Sequence, residues 1–140
     1  MQITCRIDRT LSPDARMIRK AVFIEEQGFQ NEFDQTDETA FHLVLYADGA
    51  PAAVARLFAQ QDSTAYTVGR IAVLPQYRGL HLGNHILEEA EQCAKRLGAK
   101  RLVLSAQCRV QPFYEKNGYI ASGGVYFDEF CPHIHMEKML

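Results

Sequence analysis

The stretch that most constrains the fold runs from residue 68 to residue 97, where an apolar strand pattern passes through a basic turn into an amphipathic helix. The turn reads Pro75-Gln76-Tyr77-Arg78-Gly79-Leu80-His81-Leu82-Gly83. A helix begins with main-chain N–H groups that lack an intrahelical acceptor and with a partial positive charge, so it attracts anions. Glycines let a ligand approach the main chain closely, and Arg78 adds a fixed positive charge. The stretch therefore predicts a seat for a phosphorylated ligand.

The helix after this turn has the 3.6-residue period of a helix that buries one face. Its apolar positions are Leu82, Ile86, Leu87, Ala90, Cys93, Ala94 and Leu97. Gly98 ends the helix, and residues 102–104 form a short buried strand. The strands before and after the helix are therefore expected to pair in parallel, as in a βαβ unit.

The other patterns complete an α/β (α+β) fold with a mixed, mostly antiparallel sheet of six to seven strands and helices on both faces. Further strands are predicted at 3–8, 41–47, 52–59, 64–74, from 119 and at 134–139, and further helices at 13–27 and 110–117. Asp48-Gly49 predicts a hairpin turn, and residues 60–63 form a polar turn. Gly69 within a strand indicates a β-bulge or a close approach of main chains.

The length of 140 residues predicts a single domain over residues 1–140, with one sizeable core. No apolar run approaches the length of about 18 residues that a membrane span needs, and the first residues do not resemble a secretion signal. The four cysteines lack metal-type CxxC spacing, so we expect reduced thiols in a cytoplasmic protein. No basic stripe suggests a nucleic-acid partner.

Charge is distributed unevenly along the chain. Seven acidic residues and no Lys or Arg lie between Lys20 and Arg56, and part of this region, residues 29–39, is predicted to be a long loop or an irregular helix. Eight basic residues lie between Arg70 and Lys116, counting both ends. The first region would suit a cation and the second an anion, whereas the alternative is solvated charge on unrelated surfaces.

The order of elements, with its Arg-Gly turn after the fourth strand, resembles the GNAT superfamily of N-acyltransferases. The phosphate loop of that family reads Gln/Arg-x-x-Gly-x-Gly/Ala, which Gln76 and Gly79 match, while His81 stands where Gly or Ala is preferred. The second motif of the family, a tyrosine-bearing helix that ends in Gly-aromatic, is similar to Pro112-Phe113-Tyr114-Glu115-Lys116-Asn117-Gly118-Tyr119. The resemblance covers essentially the whole chain.

Further residues resemble most closely the bacterial ElaA-type branch of this family. They are Ala21-Val22-Phe23 with Glu26-Gln27, His42, Ala106-Gln107 with Gln111, and Pro132-His133-Ile134 with Met136. The resemblance implies direct transfer of an acetyl group, within a ternary complex, from acetyl-CoA to a primary amine of a small molecule.

The resemblance also implies where acetyl-CoA binds. The pyrophosphate is expected on the main chain of Arg78, Gly79, Leu80, His81, Leu82, Gly83 and Asn84. The pantetheine amides are expected to pair like an added strand with Ile71, Ala72 and Val73. A main-chain N–H near Ala72 or Val73 would stabilise the developing oxyanion, and Gln107 and Tyr114 are expected to complete the cofactor site.

Tyr114 matches the family's acid for the departing thiolate, since a phenol stays protonated at neutral pH. The base stays open between Glu26, His133, His42 and a water chain. We expect the acceptor to contact Glu26, Phe29, Phe33 and His42, with the acidic stretch 32–38 attracting a cationic amine.

Other interpretations remain open at this point. Cys131, His133 and His135 alternate as zinc ligands on a strand would, but no fourth ligand is evident and we expect no metal. Cys108 is an alternative, covalent nucleophile. The alternatives for the whole chain are a non-catalytic acyl-CoA-binding regulatory protein and an acyl-homoserine-lactone-type synthase, and a homodimer is possible.

Overall fold

The computed structural model describes residues 1–61 and 64–140 and contains a seven-stranded sheet in the order β1-β2-β3-β4-β5-β7-β6. The strands are β1 (Ile3–Asp8), β2 (Phe41–Ala47), β3 (Ala50–Ala59), β4 (Ala65–Val73), β5 (Arg101–Gln107), β6 (Ile120–Asp128) and β7 (Cys131–Met139). β4 and β5 run parallel, and the other neighbouring strands run antiparallel. The predicted mixed sheet with one parallel unit is confirmed.

Three α-helices flank the sheet: α1 (Pro13–Arg19), α2 (Leu82–Arg96) and α3 (Gln111–Lys116). The Ser12 side chain caps α1 by accepting a hydrogen bond from the Ala15 N–H. α1 continues as wider π-helical turns over Lys20–Glu26, and Gly28 ends this segment with a φ of +85°. Short 3-10 turns lie at Gln35–Glu38, Pro75–Tyr77 and Cys108–Val110.

The core has two layers, one on each face of the sheet. On one face, α2 buries Ile86, Leu87 and Ala90 against the strands, together with Leu45 and Leu104. On the other face, the α1 segment packs Ile18 and Val22 against Val44, Val54 and Ala72. Helices therefore cover both faces, as the sequence predicts, and the apolar period of α2 is what places its N-terminus beside the end of β4.

β4 and β5 pair over three residues and then separate. The paired positions are residues 65–67 of β4 and 101–103 of β5, yet β4 continues to Val73 and β5 to Gln107. Among the described residues, the main-chain groups on the facing edges of their remaining halves therefore have no neighbouring strand. This split in the sheet is the feature that positions the site.

A β-bulge lies in β4 beside the split. Two residue steps on β3, from Val54 to Arg56, face three steps on β4, from Ala72 to Gly69. The extra residue lies at 70–71, where Arg70 has a φ of +52°. A bulge bends its strand and increases the local twist, so it turns the second half of β4 away from β5. The bulge predicted at Gly69 is confirmed, but Arg70, the next residue, takes the left-handed conformation.

Some boundaries differ from the sequence prediction. β5 and β7 are longer than expected because their additional residues include polar ones, such as Ser105 and His133, which the apolar pattern does not mark. The predicted polar turn at 60–63 includes Asp62 and Ser63, which lie outside the described residues.

Within the described residues, no helix is long and apolar enough to cross a membrane.

Candidate active site

A cavity of about 490 Å³ occupies the split between β4 and β5. β4 contributes Val68, Gly69, Arg70 and Ile71, and β5 contributes Leu104, Ser105 and Gln107. The Gln107 Nε2 donates a hydrogen bond to the Gln27 Oε1 at 2.9 Å, which links β5 to the end of the α1 segment. The cavity is therefore a slot between two central strands of the sheet, closed on one side by a side-chain contact.

The open edge of β4 presents main-chain groups to this slot. The Leu74 N–H donates to the Ala52 O at 2.9 Å, so the main chain of Leu74 faces β3. Main-chain groups alternate in direction along a strand, so Ala72 also faces β3, while Ile71 and Val73 face the open edge. Of the three residues predicted to pair with pantetheine, Ile71 and Val73 have the required direction and Ala72 does not.

A second cavity of about 250 Å³ surrounds the start of α2. Its lining includes Arg78, Gly79, His81, Leu82, Gly83 and Asn84. The intrahelical bond of His85 N–H runs to His81 O (3.1 Å), so the N–H groups of Leu82, Gly83 and Asn84 precede the helical ladder. Gly83 and Phe113 line both cavities, so the predicted anion seat lies next to the slot. Leu80, also predicted for the seat, is exposed and lines neither cavity.

The main-chain conformation of His81 explains why the family prefers Gly at this position of the loop. It has a φ of +61°, in the left-handed region that glycine adopts without strain. Gly79, two residues earlier, has a φ of +82°. The family preference for Gly at this position therefore follows from main-chain conformation, and histidine is among the residues that tolerate it best.

Arg78 contacts the main chain of β4 and a carboxylate on the α1 segment. Its guanidinium donates to both Glu26 carboxylate oxygens at 2.6 and 2.7 Å, and its Nε donates to the Val73 O at 3.0 Å. The hydrogen bonds from Arg78 lower the pKa of Glu26. A carboxylate held ionised by an arginine is a weak base, so this contact weighs against Glu26 as the proton acceptor.

Tyr114 lies in the slot where α3 meets the sheet. Its side chain is buried between Phe113 and Tyr119, with ring centroids 5.1 and 5.9 Å away. The hydroxyl forms no hydrogen bond with any of the described residues, although the ring lines the cavity. Burial raises the pKa of Tyr114 to about 12. The phenol therefore holds its proton at neutral pH and has no protein partner that competes for it.

The far end of the slot is bounded by the 28–34 loop and the turn between β6 and β7. Phe29 is buried and stacks on Phe130 of that turn at 5.0 Å. The Glu129 carboxylate accepts hydrogen bonds from the main-chain N–H groups of Gln30 and Asn31 at 3.0 Å. Phe29, which is predicted to contact the acceptor, and His133, a candidate base, both line the cavity.

The acidic stretch does not form a free anionic surface, which corrects the expectation that it attracts a cationic acceptor. Buried Arg19 pairs with Glu32 at 2.8 Å and with Asp37 at 2.7 Å. Arg56 pairs with Asp34 and Asp37, and Arg70 pairs with Glu32 and Asp34. We call these six residues the arginine–carboxylate network. Their formal charges cancel, so the loop is tied to the sheet by ion pairs.

The pKa values within the arginine–carboxylate network reflect this pairing. Burial alone would raise the pKa of Asp37, but hydrogen bonds from Arg19, from the Asp34 main chain and from Arg56 outweigh it and lower the pKa to about 2. For Glu32, burial dominates and raises the pKa despite the nearby arginines. Arg19, Arg56, Glu32 and Asp37 are thus the buried part of the network, and each of its carboxylates is paired with an arginine.

Phe33 and His42 do not reach the cavity, contrary to the sequence prediction. The Phe33 ring lies against the guanidinium groups of Arg16 and Arg19, at 4.6 and 4.9 Å. His42 is buried, and its Nε2 donates to the Asp37 main-chain O at 2.8 Å. Both residues contact the arginine–carboxylate network and do not line the cavity.

Several residues that line the slot could not be identified as site residues from the sequence. The lining of the slot also includes Phe23, Phe58, Arg56, Arg109, Asp128 and Glu129. In the sequence, Phe23 and Phe58 have the pattern of ordinary core residues. The turn between β6 and β7 contains no motif that would indicate a binding site. For the described residues, no group of three or more His, Cys, Asp or Glu side chains could hold a metal ion.

Comparison with known proteins decides the family. A family model described as an acetyltransferase (GNAT) domain matches residues 9–140. The chain belongs to the GNAT superfamily of acetyltransferases. The uncharacterized N-acetyltransferase YjcF of Bacillus subtilis is 32% identical over 128 residues, which are 89% of this chain and 90% of YjcF.

Solved structures of other GNAT proteins have the same fold. The crystal structure of Escherichia coli ElaA is 27% identical and superposes with a TM-score of 0.83, covering 98% of this chain and 99% of ElaA. The resemblance to the ElaA-type branch is therefore supported. A GNAT family acetyltransferase from Elizabethkingia anophelis with acetyl-CoA bound has a TM-score of 0.77 at 15% identity, covering 99% of this chain and 98% of that one, which shows the fold alone.

Proposed function

We propose that residues 1–140 form one domain that transfers the acetyl group of acetyl-CoA directly to a primary amine of a small molecule, within a ternary complex. The observation that carries this proposal is the pair of adjoining cavities, one at the anion seat at the start of α2 and the other at the slot that contains Tyr114. A pyrophosphate at one end and an acyl thioester at the other match these two environments.

The residues present suit acetyl-CoA as the donor. The N–H groups of Leu82, Gly83 and Asn84 would bind the pyrophosphate, assisted by Arg78. Ile71 and Val73 would bind the pantetheine amides as an added strand. The Val73 N–H, which also faces the open edge, is the candidate donor to the developing oxyanion.

Tyr114 would supply the proton that the departing thiolate needs. Its hydroxyl is unengaged and keeps its proton because burial raises its pKa. Phe23, Phe29 and Phe58 would form an apolar wall around the body of the acceptor. The slot of about 490 Å³ must hold both the acetyl-pantetheine end and the acceptor, which favours a small amine.

Arg78 and Glu26 provide a paired test of the anion seat. Arg78→Ala should weaken acetyl-CoA binding. Glu26→Gln should strengthen it by up to about fivefold, because a half-exposed ion pair is worth about 0.2–1 kcal/mol and competes with the pyrophosphate for Arg78. Titration calorimetry with acetyl-CoA measures both effects. Unchanged affinity in Arg78→Ala would contradict the role of Arg78 in the seat.

The function itself is tested by CoA release from acetyl-CoA in the presence of a panel of primary amines. We expect turnover with at least one small amine and saturable acetyl-CoA binding. Tight acetyl-CoA binding without turnover on any amine would overturn the proposal and favour a non-catalytic acyl-CoA-binding regulator.

The same proposal includes a homodimer formed through β6. This strand is the edge of the sheet, and it exposes Val125 and Phe127, with Phe130 just beyond it. An apolar edge strand is an unfavourable surface for a monomer. Sedimentation equilibrium of the parent protein should give twice the chain mass. The Phe127→Lys variant should instead sediment as a monomer. A monomeric parent protein would contradict the dimer.

A cytoplasmic location, without nucleic-acid or membrane partners, completes the proposal. It is supported by the four free thiols of Cys5, Cys93, Cys108 and Cys131, which suit a reducing compartment. The net charge of −2 is unfavourable for binding to nucleic acid or to an anionic lipid surface.

A further inference from the structure

His133 lies on β7 at the acceptor end of the slot. Its register partners are Gln107 on β5 and Tyr126 on β6. Its ring contacts Phe29, which belongs to the core layer of the α1 segment, so the side chain lies on that face of the sheet. The side chain is 7% exposed and lines the same cavity as Tyr114. An amine in the slot would therefore have His133 and Tyr114 in the same enclosed space.

The tautomer of His133 follows from a single contact. Its Nδ1 lies 2.9 Å from the Cys131 main-chain O. A carbonyl oxygen accepts hydrogen bonds and does not donate them, so Nδ1 carries the proton in this contact. In the neutral ring, Nε2 then holds the lone pair. Nε2 forms no hydrogen bond within the described part of the chain.

Aromatic neighbours fix the plane of the His133 ring. Tyr126 stacks on it at 6.2 Å with an interplanar angle of 25°, and Phe29 meets it edge-on at 6.5 Å. With one nitrogen bound to Cys131 and two rings packed against it, the imidazole has little freedom to rotate. A fixed ring with one unengaged basic atom is what a general base requires.

The carboxylates around the slot are engaged or peripheral. Glu32 pairs with Arg19 and Arg70, and Glu129 accepts main-chain N–H bonds from the 28–34 loop. Glu26 pairs with Arg78 and does not line this cavity. Asp128 and Arg109 also line the cavity, but both are exposed at its rim.

We infer that His133, through Nε2, is the general base that deprotonates the acceptor amine; this inference rests on the proposed function. Nε2 takes one proton from the ammonium group and releases it to solvent. The neutral amine then forms the C–N bond with the acetyl carbon as the C–S bond breaks. Tyr114 protonates the sulfur, and the proton that the nitrogen loses on becoming an amide restores the phenol.

His133→Asn tests this role because the Asn side-chain amide can still donate to the Cys131 O but offers no imidazole lone pair. We expect kcat/KM for an alkylamine, which is protonated at neutral pH, to fall about 10²–10⁴-fold. For an amine of low pKa, which is already neutral, we expect a much smaller loss. Added imidazole should restore part of the alkylamine activity.

His135→Asn is the matched control, since His135 lies two residues away on β7, binds the Glu137 carboxylate at 2.9 Å and does not line the cavity. Its activity should match that of the parent protein. An equal loss for both classes of amine in His133→Asn, with unchanged acetyl-CoA affinity, would overturn the role of His133 as base. Absence of turnover in the parent protein would instead overturn the proposed function.

Discussion

Replacing Tyr114 with Phe is expected to lower kcat about 10²–10⁴-fold and to leave the Kd for acetyl-CoA nearly unchanged. The physical reason is that the substitution removes a proton from the enclosed slot but keeps the ring that packs against Phe113 and Tyr119. Because the hydroxyl forms no hydrogen bond with the described residues, its loss should cost little stability. Single-turnover kinetics with acetyl-CoA and an accepted amine provide the measurement.

Tyr119→Phe is a matched control for this experiment. Tyr119 is also buried, but its hydroxyl donates to the Glu91 carboxylate at 2.9 Å and it does not line the cavity. This variant should lose about 1–3 kcal/mol of stability, the range for a buried hydrogen bond to a charged group, without a change in kcat. If kcat of Tyr114→Phe stays within a few-fold of the parent value, the assignment of Tyr114 as the acid is wrong.

Arg19→Leu is expected to reduce the free energy of unfolding by about 3–5 kcal/mol, because it leaves Glu32 and Asp37 buried without their main partner. Arg19 is 0% exposed and donates to both carboxylates and to the Glu32 main-chain O. Its loss should also loosen the loop that carries Phe29. Urea denaturation followed by circular dichroism measures the change.

Arg16→Leu is the control for Arg19→Leu. Arg16 lies one turn earlier on α1, also contacts the Phe33 ring and is exposed. We expect a stability change within about 0.5 kcal/mol, as for other surface substitutions. Equal effects of the two substitutions would show that burial of the arginine–carboxylate network is not what stabilises the loop.

Local patterns made much of the fold predictable. Ser12-Pro13, Asp48-Gly49 and Gly98 mark a helix start, a hairpin turn and a helix end through main-chain preferences that act within a few residues. The anion seat is local in the same way, because the turn and the start of α2 are contiguous in sequence. These features do not depend on contacts with residues that are distant in the sequence.

The acceptor side was harder to predict because its contacts join distant parts of the chain. The acidic stretch is neutralised by Arg19, Arg56 and Arg70, which lie outside it in sequence and on three different elements. Phe33 and His42 were placed in the acceptor site for the same reason, since nothing local shows that they face this network. The Glu26–Arg78 pair, 52 residues apart, likewise becomes visible only in the fold.

The split between β4 and β5 was predictable in position but not in detail. Gly69 indicates a bulge, yet the residue in the left-handed conformation is Arg70. Its guanidinium donates hydrogen bonds to the main-chain O and the carboxylate of Glu32, and these contacts stabilise that conformation. The role inferred for His133 also depends on the contact between its Nδ1 and the Cys131 O. Sequence alone identified His133 as a candidate and left it among four alternatives.

The most direct test of the account is mass spectrometry after incubation of the protein with acetyl-CoA that carries a deuterated acetyl group and with an accepted amine. Direct transfer predicts that the amine gains the labelled acetyl group and that the intact mass of the protein stays unchanged throughout turnover. Label on the protein during turnover, for example on the Cys108 thiol, or a complete absence of labelled amine across the panel would contradict it.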